Sequence, residues 1–102
     1  MSPLISLLLG VAVASASIPD ARPPPSQRAF NSTAVEAYLA ALVPRFVDPD
    51  LGTMFANSLP NTLDTTVQLA TPDDSFIITG DIAAMWLRDS TNQLTPYFSV
   101  VA

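Results

Sequence analysis

Thr79-Gly80-Asp81-Ile82-Ala83-Ala84-Met85-Trp86-Leu87-Arg88-Asp89-Ser90 gathers the only tryptophan of the chain, one of its four arginines and two aspartates. Just ahead, Ser75-Phe76-Ile77-Ile78-Thr79 is a short β-branched and aromatic run bounded by Pro72-Asp73-Asp74 and by Gly80, which predicts a strand. Within the stretch, Ile82 to Leu87 is apolar and compact and predicts a helical turn capped by Asp81. Behind it, Ser90-Thr91-Asn92-Gln93 has capping-box spacing and predicts a helix through Tyr97 and Phe98, with an irregularity at Pro96. The fold expected around it is mainly α with a short β-hairpin piece.

The composition of the stretch suits a neutral polyol such as a sugar. Carboxylates and guanidinium groups bridge adjacent hydroxyls, while an aromatic face covers the C–H side of the ring. Asp81, Trp86, Arg88 and Asp89 supply those groups. An Arg-Asp neighbour pair can equally be a buried structural ion pair, and a tryptophan can be core. Composition and spacing leave both readings open.

Working toward the amino terminus, Leu59-Pro60-Asn61-Thr62-Leu63-Asp64-Thr65-Thr66-Val67 is rich in small polar residues and predicts an ordered, hydrogen-bonded loop. Leu51 to Asn57 predicts a short helical turn with Leu51, Met54 and Phe55 inward, after a turn at Asp48-Pro49-Asp50. Val35, Leu39, Leu42, Val43 and Phe46 recur at three- and four-residue spacing, which predicts a helix. Thr33-Ala34-Val35-Glu36 supplies its capping box, and Pro44 ends or kinks it near Val43. Glu36, Asp48 and Asp50 are read as cap and turn residues. Residues 17–27 contain Pro19 and Pro23-Pro24-Pro25 and predict an extended linker of polyproline II character. Residues 1–16 read as a signal peptide, with an apolar run from Leu4 and the small residues Ala14-Ser15-Ala16 before a cleavage point after Ala16. The run is shorter than the roughly 18 to 25 apolar residues that span a bilayer, so no membrane anchor is expected after cleavage. Asn31-Ser32-Thr33 is a glycosylation sequon, with Asn31 as acceptor, in keeping with a secreted or secretory-pathway protein.

Composition narrows the chemistry further. The chain of 102 residues has 9 acidic residues against 4 basic ones, no histidine and no cysteine, for a formal charge of -5. Thiolate or imidazole zinc sites, a cysteine nucleophile, disulfides and a Ser-His-Asp triad are excluded from it. Arg22, Arg28, Arg45 and Arg88 are scattered and form no basic stripe, so nucleic acid is not an expected partner. Acid–base chemistry would have to use carboxylates. The chain ends within the apolar run Tyr97-Phe98-Ser99-Val100-Val101-Ala102, which reads as a piece of something longer.

The segments Leu59 to Val67, Phe76-Ile77-Ile78-Thr79-Gly80-Asp81-Ile82 and Ala84-Met85-Trp86-Leu87-Arg88-Asp89-Ser90, followed by Asn92-Gln93 and Pro96-Tyr97, resemble the N-terminal signature of glycoside hydrolase family 125. Those enzymes are exo-acting α-1,6-mannosidases. The resemblance runs from about Arg22-Pro23 to the C-terminus and departs at Ala83, where proline is expected. It implies that residues 28–102 are the N-terminal part of a truncated (α/α)6 barrel, without a metal or other cofactor, that releases terminal mannose from a mannose-containing oligosaccharide or glycan with inversion. Inversion needs an acid and a base about 6.5 to 9.5 Å apart. The resemblance implies that both lie beyond residue 102, so no residue here is assigned either role and the chain alone is expected to be inactive.

Asp81, Trp86, Arg88 and Asp89 are thereby expected to grip the terminal mannose, with Asn61 and Asp64 as further candidates from the same signature. For Asn61, Asp64 and Thr65 the competing expectation is a loop that satisfies its own backbone. The competing function is a non-catalytic truncated remnant, or a secreted carbohydrate-binding or interaction fragment. Oligomeric state is not legible.

Overall fold

A computed structural model describes residues 17–102; the expected signal peptide, 1–16, lies outside the described residues. Helix α1 spans Thr33–Leu42 and continues as a 3-10 turn, Val43–Arg45, because Pro44 cannot continue the α-helical hydrogen-bond ladder. Helix α2 spans Pro49–Ser58, with proline at its first position and Asp48 as its cap. Helix α3 is the single turn Asn61–Thr65. Strands β1 (Val67–Ala70) and β2 (Ser75–Ile77) form an antiparallel hairpin, paired Val67 to Ile77, Leu69 to Phe76 and Ala70 to Ser75, with an irregularity between Val67 and Leu69. Helix α4 runs from Leu87 to Val101 with Pro96 inside it. The expected mainly helical chain with one hairpin is observed; these elements do not by themselves make a barrel.

Val35 and Leu39 of α1, Leu63 of α3 and Tyr97 of α4 are the buried centre, with Val43, Phe55, Leu59, Val67, Leu94 and Val100 packed around them. The three- and four-residue spacing of α1 thus does face inward. Tyr97 also donates its hydroxyl to the Leu59 carbonyl, tying α4 to the end of α2. Burial pushes the phenol above its ordinary pKa.

Several local expectations are corrected. In α2, Leu51 and Met54 are exposed, and Gly52 is the buried residue. A Cβ at Gly52 would stand 3.3 Å from the Val43 carbonyl oxygen, so the absent side chain lets α2 approach the 3-10 turn. Asn61 to Thr65 is helical where a loop was expected. Ile82 to Leu87 is not a helical turn: Thr79 N–H donates to the Ala84 carbonyl at 3.2 Å and closes that segment as a loop.

Neither expected capping box forms, and their Glu36, Ser90 and Gln93 side chains turn to distant partners. The cap of α1 is Ser32, whose hydroxyl accepts from Val35 N–H at 3.3 Å, while the Glu36 carboxylate turns to Arg22. Helix α4 begins at Leu87 instead of after Ser90, and the Ser90 hydroxyl donates to the Ile77 carbonyl at 2.9 Å.

Residues 17–24 form no helix or strand and bend at Ile18, and they are bound to the helices and do not hang as a free linker. Asn57 of α2 grips this strap from both sides, accepting from Ala21 N–H and donating to the Pro19 carbonyl, each at 3.0 Å. After a 3-10 turn at Pro25–Gln27, Ala29 and Phe30 N–H donate to the carbonyls of Asp64 and Leu63 at 2.8 and 3.0 Å.

Candidate functional site

The segment between β2 and α4 is held at both ends. Ile78 N–H donates to the Thr66 carbonyl at 3.1 Å, and Gln93 of α4 donates its side-chain amide to the Thr79 carbonyl at 3.1 Å. The Ser90 hydroxyl holds Ile77 from the same helix. Gly80 turns the chain with φ of +115°, a conformation that side-chain-bearing residues rarely adopt. From this frame the loop presents Asp81, Ile82 and Trp86 to solvent, and the first turn of α4 presents Leu87 and Arg88.

Trp86 is 55% exposed, and the side chains of Arg88 and Asp89 are 87% and 41% exposed, with Arg88 Nε 3.6 Å from Asp89 Oδ1. Within residues 17–102 neither the tryptophan nor the pair is buried. A solvent-screened pair of this kind contributes little to stability. Asp89 also lies in the first turn of α4, where the helix dipole favours a carboxylate. The arrangement offers a fork of donors, two carboxylates and an indole, all on the surface formed by one loop and one helix start.

Asn61 is exposed at the first position of α3, where its carbonyl accepts from the Thr65 hydroxyl at 2.7 Å. Thr65 therefore serves its own helix. Asp64 departs from its expected placement on a sugar subsite. Its side chain is 2% exposed and its two oxygens accept from Arg22 Nε at 2.8 Å and Nη2 at 3.0 Å. A carboxylate so enclosed has no surface to offer a ligand, and Arg22, itself 9% exposed, neutralises it.

Glu36 completes this second cluster. It accepts from Arg22 Nη1 and Nη2 at 3.1 and 2.6 Å, and Arg28 Nη1 lies 3.4 Å from its Oε1. The Asp64 and Glu36 carboxylates raise the Arg22 pKa further, and Arg22 holds the Glu36 carboxyl below the usual range. Sequence reading placed none of these partnerships, since Arg22 and Asp64 stand 42 positions apart with no local signature joining them. The functional groups of the cluster satisfy one another, so it locks the strap to α1 and α3. Asn31 of the sequon is exposed. Among the described residues no group of three or more histidine, cysteine, aspartate or glutamate side chains is arranged to hold a metal ion, and no helix is long and apolar enough to cross a membrane.

Comparison with known proteins places this loop-and-helix surface inside a hydrolase sequence. The family model described as metal-independent alpha-mannosidase (GH125) matches residues 48–102, a span that includes α2, α3, the hairpin, the exposed loop and α4. The class is thus that of the glycoside hydrolases. The chain belongs to family 125 within it. The "Meiotically up-regulated gene 157 protein" of Schizosaccharomyces pombe is 44% identical over 84 residues, which are 78% of this chain and 16% of that protein. The chain therefore spans about a sixth of the length of that curated relative.

Proposed function

We propose that this chain contributes part of the terminal-mannose subsite of an inverting exo-α-1,6-mannosidase built on an (α/α)6 barrel. The observation that carries the proposal is the accessibility of Asp81 and Trp86 on a braced loop, and of Arg88 and the half-buried Asp89 on the adjoining first turn of α4, inside the family-matched span. Arg88 donates to two neighbouring ring hydroxyls and Asp89 accepts from them, while Trp86 covers the apolar side of the sugar. Asp81 and Asn61 supply further polar contacts at the margin. The chain's own residues bind and orient; the acid and base that flank the glycosidic bond come from outside residues 1–102. Residues 1–16 direct the protein into the secretory pathway and are removed after Ala16, and Asn31 is glycosylated there.

The test is Asp89→Asn in the full-length enzyme, with kinetics and thermal unfolding measured on one preparation. If the contacts tighten as the sugar flattens toward its oxocarbenium-like transition state, kcat falls and KM rises together. The expected combined loss is roughly 3 to 5 kcal/mol in transition-state stabilisation. Near-normal kcat/KM per folded molecule, accompanied by a large drop in Tm, would remove Asp89 from the subsite.

A further inference from the structure

Asp50 is in the first turn of α2, but it is not the cap. That role belongs to Asp48, whose Oδ1 accepts from Asp50 N–H at 2.9 Å. Both Asp50 carboxylate oxygens are instead occupied by the start of the strap. Ser17 N–H donates to Oδ1 at 2.7 Å, the Ser17 hydroxyl donates to Oδ2 at 2.8 Å, and Ile18 N–H donates to Oδ1 at 3.2 Å. These bonds, the Ser17 hydroxyl first, hold the Asp50 carboxyl below its usual pKa. Ser17 is also the residue that follows Ala14-Ser15-Ala16.

We propose that Asp50 is the receptor for the processed amino terminus of the protein, capturing Ser17 after cleavage. This rests on the signal-peptide reading above. Hydrolysis of the Ala16–Ser17 bond by a secretory-pathway peptidase consumes one water, leaves a carboxylate on Ala16 and a free amine on Ser17. That amine, with an ordinary pKa of about 7.7 to 8.0, takes up a proton near neutral pH. The nitrogen that donates one hydrogen as an amide then carries three as an ammonium, and its place 2.7 Å from Asp50 suits a charge-assisted bond without movement. Processing converts a neutral hydrogen bond into an ion pair.

The register of the strap makes the capture specific. Asn57 clamps Pro19 and Ala21, and Arg22 is fixed between Asp64 and Glu36. With those points held, a terminus one residue longer places its ammonium beyond Ser17, and a terminus one residue shorter loses both Ser17 bonds. Asp48, at the same helix start, adds a negative charge that offsets the positive end of the helix dipole, which alone would oppose a cation.

The experiment uses the secreted protein carrying this chain, isolated from medium, with its mature end read by mass spectrometry of the N-terminal peptide. An acylating reagent, read by mass spectrometry on that N-terminal peptide alone, then reports how much of the terminal amine is unprotonated at pH 7; residues 17–102 contain no lysine, so the label on this peptide reports the terminus. Expected are a Ser17 terminus and labelling about three- to tenfold slower than in Asp50→Asn, the change for a pKa raised by half a unit to one unit. A second protein, with one glycine inserted between Ala16 and Ser17, retains Asp50 and its amide contacts but moves the amine outward. It should label at the faster rate, so the result does not depend on how Asp50→Asn folds. A mature end elsewhere overturns the cleavage reading and the capture with it. With the native end at Ser17, equally fast labelling of the terminal amine in all three proteins overturns the capture alone.

Discussion

Arg22 decides how the amino-terminal strap is held, and its removal has a definite sign. Arg22→Met leaves Asp64 buried without its bidentate partner, with Arg28 Nε 3.9 Å away as a partial substitute. The expected loss is about 3 kcal/mol, the lower end for stranding a buried charge, measured by chemical denaturation. Arg22→Lys should recover only part of it, because an ammonium cannot reproduce the planar fork that serves two carboxylates. Gly80 is the other singular residue. An added Cβ there meets only Thr66 Cγ2 at 3.5 Å, an ordinary contact, so Gly80→Ala is not opposed by crowding. It is opposed by φ of +115°, and a destabilisation of about 1 to 3 kcal/mol is expected in thermal unfolding. None of this was legible in composition. An arginine in an Arg-Pro pair carries no local mark of a partner 42 positions away, and glycine between strand and loop signals a turn without saying which backbone region it uses.

Elements with strong periodicity were the readable ones. Helix α1 follows from Val35, Leu39, Leu42, Val43 and Phe46 and from the stop at Pro44, and β2 follows from its β-branched run. The capping boxes misled for one physical reason: their side chains found tertiary partners. Glu36 took Arg22, Ser90 took the Ile77 carbonyl and Gln93 took the Thr79 carbonyl. Helix α3 was hidden by small polar residues that suit loops as well as helix starts, and β1 by the irregularity near Gln68 that breaks its alternation. Asp81, Trp86, Arg88 and Asp89 could be grouped as candidates because those residue types are close in sequence. Asp64 was misplaced because its burial depends on Arg22. Since Ser90 braces β2 against α4, Ser90→Ala should cost about 1 kcal/mol of stability and, by loosening the loop that carries Trp86, raise KM several-fold in the full-length enzyme. Unchanged KM in a destabilised variant would show that the brace serves folding alone.

At the scale of the molecule, the charge cluster links stability to acidity. Arg22 depresses the Glu36 carboxyl in the folded state, so the folded chain holds fewer protons than the unfolded one in the acid range. This contribution is therefore present above the unfolded pKa of about 4.3 and is lost as pH falls through the lower folded value. Glu36 is half exposed, which screens the effect. Denaturation midpoints followed from neutral to acid pH should fall less steeply in Glu36→Gln; parallel slopes would mean that the pair adds nothing. A separate expectation follows from the roles proposed for the missing acid and base: residues 1–102 alone should release no mannose from an α-1,6-linked mannobiose, and measurable release would place catalysis within them.

The strap also has consequences for the order of assembly. Its bonds to Asp50, Asn57 and Asp64 close separations of 33, 36 and 42 residues, far more than the turn-to-turn contacts of α1 or the hairpin. Such closures carry a chain-entropy cost before they are rewarded, so strap docking belongs after the rate-limiting step, and substitutions at its contacts should chiefly accelerate unfolding. During synthesis the strap cannot be fixed as its residues emerge, for Arg22 has no buried carboxylate to meet until residue 64 has left the ribosome. In that interval the chain after Ala16 is unattached, the form that the cleavage proposed above requires for a protease to thread it.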